Sequence, residues 1–292
     1  VPDQLDLTGR RCLVTGAAGV FGSALAQRLR GCGADLVLHG RSTPALEALA
    51  AELRATSGGA IDLVTLDLGV PDAPAMLMSA LGERLDLLVN NAAVPGPIGP
   101  VDGSDFAAWE ETIRFNLVLP MALCRAAIPV LAATAALSGK RGKIVNMSGG
   151  GATSPRPNFS AYSTAKTGLV RFTEILALEV RDRGIDVNAV APGALPSVMT
   201  RNILNAGPEL CAPRELEVAA QAQGEAGAAA MARATELIAW LTTPAGDGVT
   251  GKLIAAQWDP WPEFGRLKDA LNASDVYTLR RILPADRGLD WS

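Results

Sequence analysis

Seven short apolar runs, each bounded by glycine or charged residues, punctuate the chain at residues 10–16, 34–40, 60–67, 85–92, 143–148, 185–193 and 252–257. Each has the length of a buried strand and is apolar along most of it, as a strand covered on both faces must be. Between them lie Ala- and Leu-rich stretches with helical spacing, among them 21–31, 43–57 and 172–184. Alternating strands and helices predict a parallel sheet, because parallel neighbours need a crossover and the crossover is right-handed. The expected fold is α/β: a doubly wound, Rossmann-like parallel sheet of seven strands in three α/β/α layers.

No internal repeat or low-complexity linker divides the chain, although the Ala- and Gly-rich residues 219–230 predict a mobile segment ahead of a helix at 231–241. One domain is expected over residues 1–257, with a tail at 258–292 packed on the same domain or on a neighbouring subunit. That tail holds Trp258, Trp261 and Trp291, three of the chain's five tryptophans.

Composition narrows the function classes. At 292 residues and 49% hydrophobic the chain can fill one large core. A formal net charge of -4 gives no basic excess to neutralise a nucleic-acid backbone, so no nucleic-acid partner is expected. No apolar run approaches the length of a membrane span, and the first strand-like run is too short for a signal peptide; a cytoplasmic protein with no membrane partner is expected. Cys12, Cys32, Cys124 and Cys211 are scattered without metal-ligand spacing and read as buried thiols. His39 is the sole histidine, which excludes a His-based metal cluster, and no metal is expected.

The first run ends in Thr15-Gly16-Ala17-Ala18-Gly19-Val20-Phe21-Gly22 and leads directly into a helical stretch. Glycines in a strand-to-helix turn let the backbone approach a pyrophosphate, whose charge the helix N-terminus stabilises. A tight turn that only packs helix on strand is the competing explanation. The second run ends at Leu38-His39-Gly40-Arg41-Ser42, where a dinucleotide fold meets the adenosine ribose. A carboxylate there would hold the 2′-hydroxyl of NAD, whereas Gly40 and Arg41 offer a cation and no acid. NADP(H) is therefore expected ahead of NAD(H). Ser42 or Thr43 before Pro44 starts a helix whose amides would lie near a 2′-phosphate. A solvated loop arginine is the plainer role for Arg41.

Tyr162-Ser163-Thr164-Ala165-Lys166 opens another helical stretch, and the i,i+4 spacing puts phenol and ammonium on one face a turn apart. Bringing a tyrosine pKa from about 10 to neutrality requires about 4 kcal/mol of preferential phenolate stabilisation, which Lys⁺ and a cationic oxidised nicotinamide can supply. Such a tyrosine would serve as an acid/base near neutral pH. On its own a Tyr–Lys pair is more often a surface pair; the glycine turn gives it weight.

These residues, with the NNAA of Asn90 to Ala93, Asn116 in FNLVLP and Pro192-Gly193, resemble the short-chain dehydrogenase/reductase family, in its shorter branch with a C-terminal extension. The resemblance runs in order from Arg10 to Gln257. It implies an NAD(P)-dependent oxidoreductase that interconverts a small-molecule secondary alcohol and a carbonyl. Tyr162 would be the catalytic acid/base, Lys166 would also contact the nicotinamide ribose, and Asn116 would hold a water in a relay from Lys166. As a plain residue, Asn116 would be a helix-kink or core amide. The resemblance further implies that Gly16, Gly19, Val20, Phe21, Gly22, Arg41 and Ser42 hold the phosphates. Asp67 and Leu68 would meet the adenine, Asn90 and Ala92 would wall the cofactor, and Pro192, Gly193, Leu195 and Ser197 would meet the nicotinamide amide. A homodimer or homotetramer through the Tyr–Lys helix is also implied.

Two positions depart from that pattern. Val20 stands where the shorter branch has its middle glycine, and Gly19 reproduces the spacing of the longer branch with its sugar-nucleotide epimerases; a valine there would narrow the pyrophosphate turn. An ungapped count from Gly142 to Tyr162 puts Gly149 at the family's catalytic serine, beside Ser148. Adjacent strand residues face opposite ways, so Ser148 reaches a substrate only if the SGGGAT stretch shifts the backbone. Otherwise Ser148 caps the strand end, and Thr153 or Ser154 supplies the hydroxyl. An epimerase or dehydratase of a sugar derivative, and a cofactor-binding regulatory protein without turnover, stand as alternatives. Trp258, Asp259, Pro260, Trp261, Pro262 and Phe264 would suit a sugar or other polar ring if they wall the substrate pocket. The plainer reading is that these aromatics cement the tail to the core or to an oligomer interface.

Overall fold

The computed structural model describes residues 5–55 and 58–290, and in it all seven expected runs are strands. They are β1 (Arg11–Val14), β2 (Asp35–Gly40), β3 (Ile61–Thr65), β4 (Leu87–Asn90), β5 (Gly142–Met147), β6 (Ile185–Ala191) and β7 (Leu253–Ala255). Their order across the sheet is β3-β2-β1-β4-β5-β6-β7, and every neighbouring pair is parallel. The helices are α1 (Val20–Gly31), α2 (Thr43–Arg54), α3 (Ala73–Leu81), α4 (Phe106–Ile113), α5 (Leu119–Ser138), α6 (Ser160–Glu179), α7 (Val198–Leu210), α8 (Pro213–Gln221), α9 (Glu225–Thr242) and α10 (Phe264–Asn272).

Alternation along each strand divides the core into two layers. Cys12 and Val14 of β1 pack with α1, α2 and α9, whereas Leu13 between them packs with α3, α5 and α6. Strand order reverses between β1 and β4, so the crossovers leave in opposite directions and open a crevice at the strand C-termini. Val14 aligns with Leu38 on one side and Val89 on the other, which brings the turns after β1, β2 and β4 to one level.

Two sequence expectations are corrected. Helix α4, a π-helical turn at Arg114–Val118 and α5 form one run, Phe106–Ser138, that is long and apolar enough to cross a membrane by length and composition. Its apolar excess has a local use, since Leu119, Leu123, Ala127 and Leu131 pack against the sheet. Residues 219–230 are not a loose linker but the end of α8, a short turn and the start of α9. Alanine is the strongest helix former, and Gly227 lets α9 begin against the Ala222 carbonyl, where a Cβ would collide.

The tail packs on its own domain. Trp261 is 1% exposed, donates its indole N–H to the Ala256 carbonyl at 3.1 Å and lies 6.0 Å from the Trp240 ring. Phe264 is buried beside it and packs on Tyr277. Beyond α10 the main chain covers the free side of β7. The Leu253 amide donates to the Tyr277 carbonyl at 2.8 Å, and Lys252 Nζ donates to the carbonyls of Ser274 and Val276. The Leu279 amide then donates to Glu174 on α6 at 2.6 Å. Trp261 as a wall of the substrate pocket is therefore corrected: its ring is in the core. Trp258 is exposed, and Trp291 lies outside the described residues. All four cysteines are buried free thiols, as expected.

Trp261→Ala should cost about 3–5 kcal/mol, the usual range for a large aromatic truncated in a core. Thermal melts should fall accordingly, while KM, kcat and cofactor affinity of the folded fraction stay near wild type. A raised KM at an unchanged melting temperature would return the indole to the pocket.

Candidate active site

The turn after β1 is shaped by its glycines. Gly16 has φ +65°, a region L side chains rarely adopt, and a Cβ on Gly22 would run into the Gly16 carbonyl. Gly19 is the N-cap of α1, no side chain caps it, and no acid stands in the first turn. The amides of Val20, Phe21 and Gly22 thus begin a helix whose positive end is open to an anion. Val20 is 46% exposed at the first helical position. This cradle fits a pyrophosphate.

Three side chains outside the expected site residues, Thr15, Asn91 and His39, hold the turn. Thr15 Oγ1 donates to the Val89 carbonyl and accepts the amides of Asn91 and Ala92, all within 3.1 Å. Asn91 Nδ2 donates to the carbonyls of Thr15 and Gly16 at 2.9 and 3.2 Å. His39 Nδ1 accepts the Gly16 amide at 3.5 Å, and Nε2 donates to the Leu66 carbonyl at 3.0 Å. Burial holds His39 below the usual imidazole range, which favours this neutral ring. The NNAA run carried the signal for Asn91; nothing local marked His39.

At the ribose end Arg41 is exposed, and Ser42 caps α2 by accepting the Ala45 amide at 3.4 Å. Asp67 turns its carboxylate back onto the Gly69 amide at 2.8 Å, and the Leu68 side chain is in the core. The Asn90 amide is buried too, donating to Asn146 at 2.8 Å, and Asn146 donates in turn to Thr173 on α6. A Cβ on Gly16 would stand 3.1 Å from the Ala92 Cα, so the Ala92 main chain abuts the turn. After β6, Gly193 has φ +90° and the Pro192 carbonyl accepts from Gln257 at 3.0 Å. Leu195 is buried, and Ser197 caps α7 in a reciprocal pair with Thr200, another residue missed in sequence.

Lys166 lies beneath Tyr162 on α6. Its Nζ is 5.6 Å from the tyrosine ring centroid and donates to the Met147 carbonyl at the end of β5 at 2.7 Å. Burial pushes the Lys166 ammonium down to about 8 and the Tyr162 phenol up to about 12, with the Arg156 guanidinium pulling the phenol the other way. In the chain by itself burial is the larger influence on the phenol, and the Lys166 ammonium lies over the ring. Asn116 is fully buried in the π-helical turn, accepting the Val94 amide at 2.9 Å and donating to the Val94 carbonyl at 2.8 Å. Each amide atom retains one hydrogen-bonding place.

The Ser148 hydroxyl is buried and has no hydrogen-bond partner among the described residues, so it does not cap β5. Gly149 is the position that faces Tyr162, where a Cβ would stand 2.5 Å from the phenol oxygen. Thr153 and Ser154 are exposed.

The short chain dehydrogenase family model matches residues 10–207. A 3-oxoacyl-[acyl-carrier-protein] reductase of Synechocystis sp. is 34% identical over 207 residues, covering 70% of this chain and 81% of that protein. A short chain dehydrogenase of Monascus ruber is 31% identical over 284 residues, covering 92% of this chain and 87% of its own. Among solved structures, the Pseudomonas aeruginosa RhlG/NADP active-site complex superposes with a TM-score of 0.72 at 28% identity, covering 86% of this chain and 95% of that one.

The Lys166 shift sets a pH dependence. The unfolded chain holds this proton up to the ordinary value of 10.5 while the folded chain releases it near about 8, so the unfolded state binds more protons between the two. Stability contributed by Lys166 therefore rises with pH across that window. In denaturant melts of cofactor-free protein, wild type should gain on Lys166→Met from the low end of the window to the high end. A difference that stays flat would refute the buried ammonium.

Proposed function

The chain belongs to the short-chain dehydrogenase family, and on that footing we propose that it is an NADP(H)-dependent oxidoreductase interconverting a small-molecule secondary alcohol and a carbonyl. The observation that carries this reading is the placement of the Tyr162–Lys166 face at the strand C-termini, on the same edge of the sheet as the Gly16–Gly22 cradle. A bound nicotinamide supplies the hydride donor or acceptor.

Tyr162 exchanges a proton with the substrate oxygen through its phenol, against which position 149 sets no side chain. Lys166 keeps its ammonium next to that ring, anchored on Met147, where together with an oxidised nicotinamide it would favour the phenolate. Asn116 fixes the loop after β4 through Val94 and keeps spare amide positions for a water beside α6. At the far end, Arg41 and the start of α2 would hold the 2′-phosphate, with no acid at the end of β2 to oppose it. The NADP named with the Pseudomonas structure supports the same choice.

Tyr162→Phe should leave folding and cofactor affinity intact and abolish measurable turnover; near-native rates under chemistry-limited conditions would remove Tyr162 from the acid/base role. Arg41→Ala should weaken NADP(H) on the order of tenfold or more, as expected for a charge-assisted contact, while NAD(H) binding changes little. Equal affinity of the wild-type protein for both cofactors, measured by fluorescence titration, would refute the NADP assignment.

A further inference from the structure

Three successive glycines, Gly149 to Gly151, follow β5, and each is covered by a different side chain. A Cβ on Gly149 would meet the Tyr162 phenol and one on Gly150 would stand 3.4 Å from Arg156 Nη1; one on Gly151 would collide with the Ser163 hydroxyl. Tyr162 and Arg156 thus contact consecutive residues of one main-chain segment, and the guanidinium is close enough to the phenol to act on its charge. The Arg156 guanidinium lies 4.0 Å over the Phe159 ring and donates to the Gly150 carbonyl at 3.4 Å. Its Nε and Nη2 grip both carboxylate oxygens of Glu215 on α8, at 2.8 and 2.5 Å. The arginine side chain is 13% exposed and the glutamate 28%.

Resting on the oxidoreductase reading above, the geometry points to Arg156 as the substrate anchor: it reads a carboxylate on the alcohol or carbonyl substrate, and Glu215 holds that place until substrate arrives. The two partners differ in what separation costs them. Arg156 is enclosed by the glycine wall and Phe159 and needs an anion to remain there. Glu215 stands in the first turn of α8, where the helix dipole favours a carboxylate, and is already partly in water. Leu216 and Ala219 hold α8 to Phe159 and Ile203 independently of the ion pair, so Glu215 can yield without releasing its helix. A substrate carboxylate reproduces the two-oxygen fork already seated on the guanidinium.

The test uses matched ketones: hexanoates bearing the oxo group at carbon three, four or five, each paired with its primary amide. Binding to the full chain saturated with NADP⁺ is measured by calorimetry, and NADPH consumption separately. At least one acid should bind tenfold or more tighter than its amide. Arg156→Met should erase that ratio, and Arg156→Lys should restore part of it. Glu215→Gln should tighten the acid several-fold relative to the amide, because the competitor has lost its charge. No acid preference in the wild type, a preference surviving in Arg156→Met, or an unchanged ratio in Glu215→Gln would each overturn the anchor. If Arg156→Met does not fold, the Glu215→Gln ratio decides alone. Preferential acid binding with no NADPH consumption by any ketone would instead defeat the oxidoreductase reading and leave the anchor standing. Turnover of ketones without acid preference does the reverse.

Discussion

The hydrogen bonds that join the ends of β1 and β4 are the constraint on which the site depends. Thr15 and Asn91 face each other across the point where strand order reverses, and their side chains satisfy main-chain groups that the separating crossovers would otherwise strand. With those groups satisfied, Gly16 can hold its left-handed conformation and α1 can begin close to the strand. His39 repeats the arrangement from β2, so neighbouring strands brace the same few peptide groups. The cradle is thereby held by the sheet and not by its own loop, as a preformed anion site requires.

The chemistry at Tyr162 is a contest between desolvation and charge. A dry phenol beside an ammonium that is itself desolvated is poor as a base and waits for further positive charge or for substrate. Lys166 cannot turn its charge fully on the phenol while it is anchored on the Met147 carbonyl. That anchor also ties the pair to β5, so the acid/base moves with the sheet.

Strands were legible in sequence because a parallel strand covered on both faces is mostly apolar, and β1, β2, β4, β5 and β6 are buried along nearly all of their length, whereas the edge strand β3 is half exposed. Composition misled where it was read without packing. The alanines near residue 225 suggested looseness but form helix ends, and the span-length run at Phe106–Ser138 spends its apolar face on the sheet. Tyr162, Lys166 and the glycines carried local signals, because spacing alone brings them together. Arg156 and His39 did not: their partners are 59 and 23 residues distant along the chain. Ser148 and Gly149 show the finest limit, since which of two neighbours faces the tyrosine depends on how the chain leaves β5.

The tail's course over β7 has a consequence for behaviour at high concentration. A terminal strand of a sheet is a template for another chain's backbone, and β7 would offer such a template where Leu253 now donates to Tyr277. The flap that covers it also hides Trp261 and Phe264. Proteolytic loss of this segment would uncover both an unpaired ladder and a sticky aromatic patch, so a trimmed form is a seed for aggregation even while its catalytic face is intact.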